Sequence, residues 1–267
     1  MPLQAISLLF HGYVAWRLVP ALGSTAAQLS LAALLLLSAL TLPFGLGARH
    51  GAARRFGPQL AWTGLVCMGL FSSLFVLTIL RDAGLLAIAA VDALRPGTIG
   101  LAPLLAPTAR VVVGAALLVT LWGFVNARRT ARVVRVDVPV AGLPGALDGF
   151  TIAQLSDVHV GPTIKRRYVE ALVDAINRLD ADVVALTGDL VDGSVRELAW
   201  HIAPLAGLRG REGVFFVTGN HEYYSGAAAW VEELRRLGLT ALMNEHVVVR
   251  RGGAALVVAG VTDFGAG

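Results

Sequence analysis

The chain changes its hydrophobic rhythm once, near residue 128. Before that point apolar residues run on for whole helical lengths, broken only by glycine, proline and isolated charges. A helix rises 1.5 Å per residue, so about 20 apolar residues cover the ~30 Å of hydrocarbon in a bilayer. Four stretches approach that length: residues 2–19, which carry His11 and Arg17 and stop at Pro20, then residues 24–46, 58–80 and 109–126. Residues 81–107 open with a helical period in AGLLAIAAVDAL, too short and too charged to cross alone. They read as an extension of the third helix beyond the bilayer or as an interfacial segment. About four spans are expected, with room for a fifth.

After residue 128 the period shortens. RVVRVDVPV (residues 132–140) alternates apolar and polar positions, which predicts a strand with one wet face. Gly142, Pro144 and Gly145 mark a turn. FTIAQLS (150–156), DVVALTG (182–188) and GVFFVTG (213–219) are short apolar runs that predict buried strands. Between them, residues 165–179 carry Tyr168, Leu172, Ile176 and Leu179 on one helical stripe. Residues 196–205 and 227–237 predict further helices. Residues 247–249 and 254–259 predict a hairpin around Arg251, Gly252 and Gly253. The expected organisation is a transmembrane helical domain over 1–127, a linker and first strand over 128–149, and an α/β domain over 150–267.

Composition sharpens the division. The chain is 56% hydrophobic and 15% charged, against about 25% charged in an ordinary soluble domain. Nine of its 40 charged residues fall before Asn126, so the two parts are built for different solvents. The net charge of +4 and pI of 9.8 do not call for nucleic acid, because the basic residues flank the apolar runs. Arg49, Arg54 and Arg55 lie between the second and third runs, and Arg128, Arg129, Arg132 and Arg135 follow the last. The positive-inside rule puts both groups in the cytoplasm, so an integral protein of the cell (inner) membrane with a cytoplasmic soluble domain is expected. Asp82 and Asp92 are either functional intramembrane acids or interfacial partners of Arg81 and Arg95, and the second reading is the simpler. Cys67 sits alone in an apolar run and reads as a buried, inert thiol. The first residues have no basic n-region or clear cleavage site, so the first run reads as uncleaved.

Three successive predicted strands of the second part end in polar residues. Strand ends in an α/β layer converge on one crevice, which would gather Asp157, His159, Asp189, Asn220 and His221. Carboxylate, imidazole and amide oxygen suit divalent transition metals. Asp189 is placed to bridge two ions, and His221 to donate a proton to a leaving alcohol. Taken singly, each carboxylate reads equally as a helix cap or turn former. Asp192 reads as a helix cap, His201 as a packed or surface histidine, and Asn244, Glu245 and His246 as a turn. Tyr223 and Tyr224 suit a substrate cleft or a core contact. Lys165, Arg166 and Arg167 suit phosphate attraction or a solvated helix start.

SDVHVG (156–161), TGDLVDG (187–193) and TGNHEYY (218–224) resemble, in order and spacing, the first three motifs of the calcineurin-like metallophosphoesterases. The lead-in LPGALDGFTIAQLSDVHVGPT resembles the membrane-associated bacterial branch and its transmembrane relatives. The resemblance implies the first half of a four-layer αββα sandwich following the transmembrane bundle. It implies two divalent ions (Mn, Fe or Zn), with Asp157 and His159 on the first, Asp189 bridging, Asn220 on the second and His221 as general acid. The implied reaction is hydrolysis of phosphodiester, pyrophosphate or phosphomonoester bonds by a metal-bound hydroxide, on substrates that include lipid-linked ones. The family pattern continues with a further histidine and a Gly-His-x-His motif, which the sequence to Gly267 does not contain. This departure makes a truncated chain the expectation, one whose activity is impaired without the downstream histidines. It leaves open an alternative in which a degenerate domain serves binding without catalysis.

Overall fold

The computed structural model describes residues 3–46, 57–97 and 100–266. Arg49, His50, Arg54 and Arg55 lie outside the described residues. The chain forms two compact units, Met1–Arg129 and Thr130–Gly267.

The first unit is helical: α1 (Leu3–Leu18), α2 (Thr25–Leu46), α3 (Gly57–Leu94) and α4 (Ala102–Ala127). Three helices, over Thr25–Leu46, Gln59–Leu94 and Ala102–Ala127, are long and apolar enough to cross a membrane. Among the described residues α1, the first of the four expected spans, is not one of these three. It is helical as predicted, but its 16 residues span about 24 Å at 1.5 Å each, less than the hydrocarbon thickness. The extension foreseen for the third helix is what forms, because α3 runs unbroken for 38 residues. The charges at Arg81 and Asp82 do not end it, since both are paired. Asp82 accepts from Tyr13 Oη at 2.8 Å, from Arg17 Nε at 2.6 Å and from Arg81 at 3.1 Å. Arg81 also donates to Thr108 Oγ1 and the Leu105 carbonyl.

Small residues let α2 and α3 touch backbone to backbone. A Cβ on Gly64 would lie 2.4 Å from the Thr41 carbonyl oxygen, and one on Gly45 would lie 2.8 Å from Gly64 C. Where helices pack among apolar surroundings, such close approach supplies much of the attraction. His11 is buried and satisfied, with Nδ1 2.7 Å from the Ser7 carbonyl and Nε2 2.8 Å from Ser38 Oγ. Its ring stacks on Phe71 at 3.6 Å. Cys67 is buried, as its apolar setting predicts.

The second unit is an α/β layer structure. Strands β1 (Ile152–Leu155), β2 (Val183–Leu186), β3 (Gly213–Phe216) and β4 (Thr240–Ala241) form one parallel sheet in that order. Between them run α5 (Arg166–Asn177), α6 (Val195–Ile202), α7 (Asn220–Ser225) and α8 (Ala227–Arg236). β5 (Glu245–Arg251) and β6 (Ala254–Gly260) form an antiparallel hairpin. One face of the parallel sheet packs on the helices through Val184, Leu186 and Phe216 against Leu172, Ile202, Trp230 and Leu234. The other face meets the hairpin through Val183, Phe215, Leu242 and Val249. Strands covered on both faces read as continuous apolar runs, which is why VVAL and GVFF show no alternation.

Two expectations need correction. Residues 131–140 have the strand alternation but no strand hydrogen bonding, and all ten are exposed. Alternation favours extended backbone, yet a strand exists only where a neighbour accepts its ladder. Glu245 and His246 belong to β5 and not to a turn; Asn244 alone makes the turn, at φ 59°.

Candidate metal centre

The first two strands run into their polar tips with a conformational switch. Asp157, His159 and Asp189 all have left-handed backbone, at φ 57°, 50° and 54°. Such a conformation costs a non-glycine residue of the order of 1–3 kcal/mol and persists only where the surroundings over-determine it. The tips are tied across the sheet: Asp157 N donates to Gly188 O at 3.2 Å, and His159 N donates to Asp189 O at 3.0 Å. His221 N donates to Asp189 Oδ1 at 2.9 Å, which orients that carboxylate from the third strand tip.

The glycines allow this crowding. Gly188, at φ +86°, lies so close to the next tip that a Cβ would stand 2.2 Å from Gly219 N. A Cβ on Gly219 would stand 2.3 Å from Asp189 Oδ1. Backbone must pass where no side chain fits, which is the use of glycine here.

All five predicted residues come together. Ligand atoms of Asp157, His159 and Asp189 lie within 4.8 Å of one another. The Asn220 amide oxygen faces only acceptors, 3.1 and 3.2 Å from the two Asp189 carboxylate oxygens. Turned over, the amide would donate to that carboxylate instead. In either orientation the amide lies beside the Asp189 carboxylate. The donor set of carboxylate, imidazole and amide oxygen fits a hard or borderline divalent ion. Asp157 is the most open of the group, with two thirds of its side chain exposed.

His221 lies beside this cluster, its ring 4.4 Å from that of His159 and nearly perpendicular to it. Its Nδ1 is 2.5 Å from Asp192 Oδ1, and the same oxygen is 3.3 Å from His159 Nδ1. Asp192 is therefore not the helix cap that its position after β2 suggests. Ser194 caps α6, with its N and Oγ both paired to Glu197. Asp192 instead holds the two imidazoles.

Sequence reasoning also passed over Glu222. Its side chain is fully buried. Oε2 accepts from Asp189 N at 2.9 Å and Gly219 N at 2.8 Å, and Oε1 accepts from Leu190 N at 2.8 Å. Burial pushes its carboxyl pKa up, the three N–H groups hold it down, and the Asp189 charge adds to the rise. The signal was a glutamate three residues after Gly219 in Gly-Asn-His-Glu, where it reaches back to the backbone at the helix start.

Residues 150–262 match the family model described as calcineurin-like phosphoesterase. This part of the chain is a calcineurin-like phosphoesterase domain. Relatives of the metallophosphoesterase domain include a "Transmembrane protein with metallophosphoesterase domain" from Danio rerio, 41% identical over 131 residues, covering 49% of this chain and 30% of that one. Its counterpart from Bos taurus is 40% identical over 149 residues, covering 53% and 34%. An "Uncharacterized metallophosphoesterase" from Helicobacter pylori is 39% identical over 113 residues, covering 42% and 30%. The chain thus spans about a third of the length of these relatives. No solved structure matches it.

Proposed function

We propose that the phosphoesterase domain is a two-metal hydrolase of phosphodiester, pyrophosphate or phosphomonoester bonds, anchored to the membrane by the helical unit. The observation that carries this reading is the convergence of ligand atoms of Asp157, His159 and Asp189 within 4.8 Å of one another, with the Asn220 side-chain amide beside the Asp189 carboxylate. In it, Asp157, His159 and Asp189 hold one ion, and Asp189 and Asn220 hold the second. When bound, the ions supply Lewis acidity, which acidifies water and offsets charge on phosphoryl oxygens. Mn²⁺, Fe and Zn²⁺ all suit this mixed set. His221 is the proton donor to the leaving oxygen. Asp192 acts on it as a positioning residue: occupying Nδ1 fixes the tautomer and leaves Nε2 for the substrate side. Tyr224 is exposed, with its ring 5.6 Å from His221, and lines the approach to that side.

The membrane setting makes lipid-linked phosphoesters suitable substrates. Arg128, Arg129, Arg132 and Arg135 follow α4, and Arg49, Arg54 and Arg55 precede α3. Two spans separate these groups whatever α1 does, so both fall on one side, the cytoplasmic side by the positive-inside rule. A protease-protection assay that found the phosphoesterase domain shielded outside the cytoplasm would overturn this orientation.

Metal analysis of the purified chain tests the centre. Roughly two ions per chain are expected after loading with Mn²⁺, and Asp189→Asn should remove both. With bis(p-nitrophenyl) phosphate, His221→Asn should lose turnover while keeping its metal. Unchanged metal content in Asp189→Asn would refute the assignment.

A further inference from the structure

The start of α5 carries Lys165, Arg166 and Arg167, which the metal centre does not use. Lys165 is half-buried, and among the described residues no carboxylate pairs with its ammonium; burial holds its pKa below the ordinary lysine range. Arg166 is fixed in place. Its guanidinium lies 4.2 Å from the Trp200 ring centroid and donates to the Trp200 carbonyl at 3.0 Å and to Glu170 at 2.7 Å. The next residue, His201, has a buried Nδ1 without a hydrogen-bond partner among the described residues. Burial lowers its pKa, and the positive charges of Lys165 and Arg166 lower it further.

Two costs meet at this corner. A buried nitrogen without a partner loses its hydration uncompensated. A half-buried ammonium loses hydration as well, and among the described residues no carboxylate offsets that of Lys165. One oxyanion would relieve both, by accepting from the imidazole and pairing with the ammonium and guanidinium. We propose that Lys165, Arg166 and His201 form an oxyanion site that takes a phosphate group, either free or on an anionic lipid headgroup. It shares no residue with the metal centre, so it survives failure of the two-metal reading.

The test uses the full chain in detergent, stripped of metal with EDTA and labelled with ¹⁵N at histidine. Millimolar inorganic phosphate should shift the His201 ring resonances saturably. Lys165→Met, which keeps the length of the side chain, should weaken that response roughly tenfold or more. Exposed Arg178→Ala should leave it unchanged. In a second arm, phosphatidylglycerol nanodiscs are compared with phosphatidylcholine nanodiscs without phosphate. A His201 shift with free phosphate alone identifies a soluble anion, and a shift with phosphatidylglycerol identifies a headgroup; either supports the site. No saturable shift in either arm overturns it. So does unaltered affinity in Lys165→Met with a native amide spectrum, and Arg166→Gln provides the same comparison should Lys165→Met misfold.

Discussion

Removing the Glu222 carboxylate should loosen the metal centre without touching any proposed ligand. Its two oxygens accept from the Asp189, Leu190 and Gly219 N–H groups and so tie the second strand tip to the third. Each buried N–H left without an acceptor costs about 1–3 kcal/mol. Glu222→Ala strands three, an upper range of about 3–9 kcal/mol, and water entering the space vacated recovers part. The expected loss is therefore about 3 kcal/mol. In Glu222→Gln the amide oxygen can keep the Asp189 and Gly219 bonds, while its NH₂ confronts the Leu190 N–H. One stranded donor gives about 1–3 kcal/mol. Hydrogen exchange by mass spectrometry reads both, in the peptide that holds Asp189 and Leu190. Because 1.4 kcal/mol is a factor of ten, Glu222→Ala should exchange about 100-fold faster there, with Glu222→Gln intermediate. Exchange in Glu222→Ala within about threefold of wild type would show that the buried carboxylate does not bear on the tips.

Other perturbations separate local causes. Gly219→Ala forces a Cβ to 2.3 Å from Asp189 Oδ1 and should empty the centre of metal, as read by elemental analysis, while leaving helix content by circular dichroism unchanged. Buried Asp182 is held below the usual carboxylate pKa: burial raises it, but hydrogen bonds from Thr151 and the Arg251 charge outweigh that. Its stabilisation is thus present above the unfolded value of about 3.9 and lost as pH falls below it. Asp182→Asn should flatten the acid limb of the domain's melting temperature against pH. Gly64→Val should part α2 from α3 and lower thermal stability in detergent by about 2 kcal/mol or more. Gly69→Val, with nothing within 4 Å of its Cβ position, should be nearly neutral by the same assay.

How much of this could be read in the sequence depended on how local the cause was. Asp157, Asp189 and Asn220 were legible because an apolar strand that stops at a carboxylate or amide states both its direction and its end. Three such strands in a parallel sheet leave a single crevice for the polar tips. Asp192 and Glu222 were not legible, because an acid near a helix start has a sufficient local reading as a cap. Only the approach of another strand tip turns Asp192 toward His221 and Glu222 toward the Asp189 and Leu190 N–H groups. The length of α3 was half legible. Arg81 and Asp82 look like the edge of a span, and they end the apolar run. They do not end the helix, because Arg17 and Tyr13 on α1 and Thr108 on α4 satisfy them.

The segment at residues 131–140 fails in the opposite sense, with a clear local signal and no partner among the described residues to complete it. Periodicity reports what a segment would prefer next to a given surface. The presence of that surface is a property of the fold, and the residues gathered at this centre depend on both. Asp189 shows the dependence most plainly. Its strand places it, the Gly219 backbone makes room for it, His221 N orients its carboxylate and Glu222 fixes its backbone. A proposed ligand position held from its own strand and from the start of α7 can keep a left-handed backbone that neither alone would sustain.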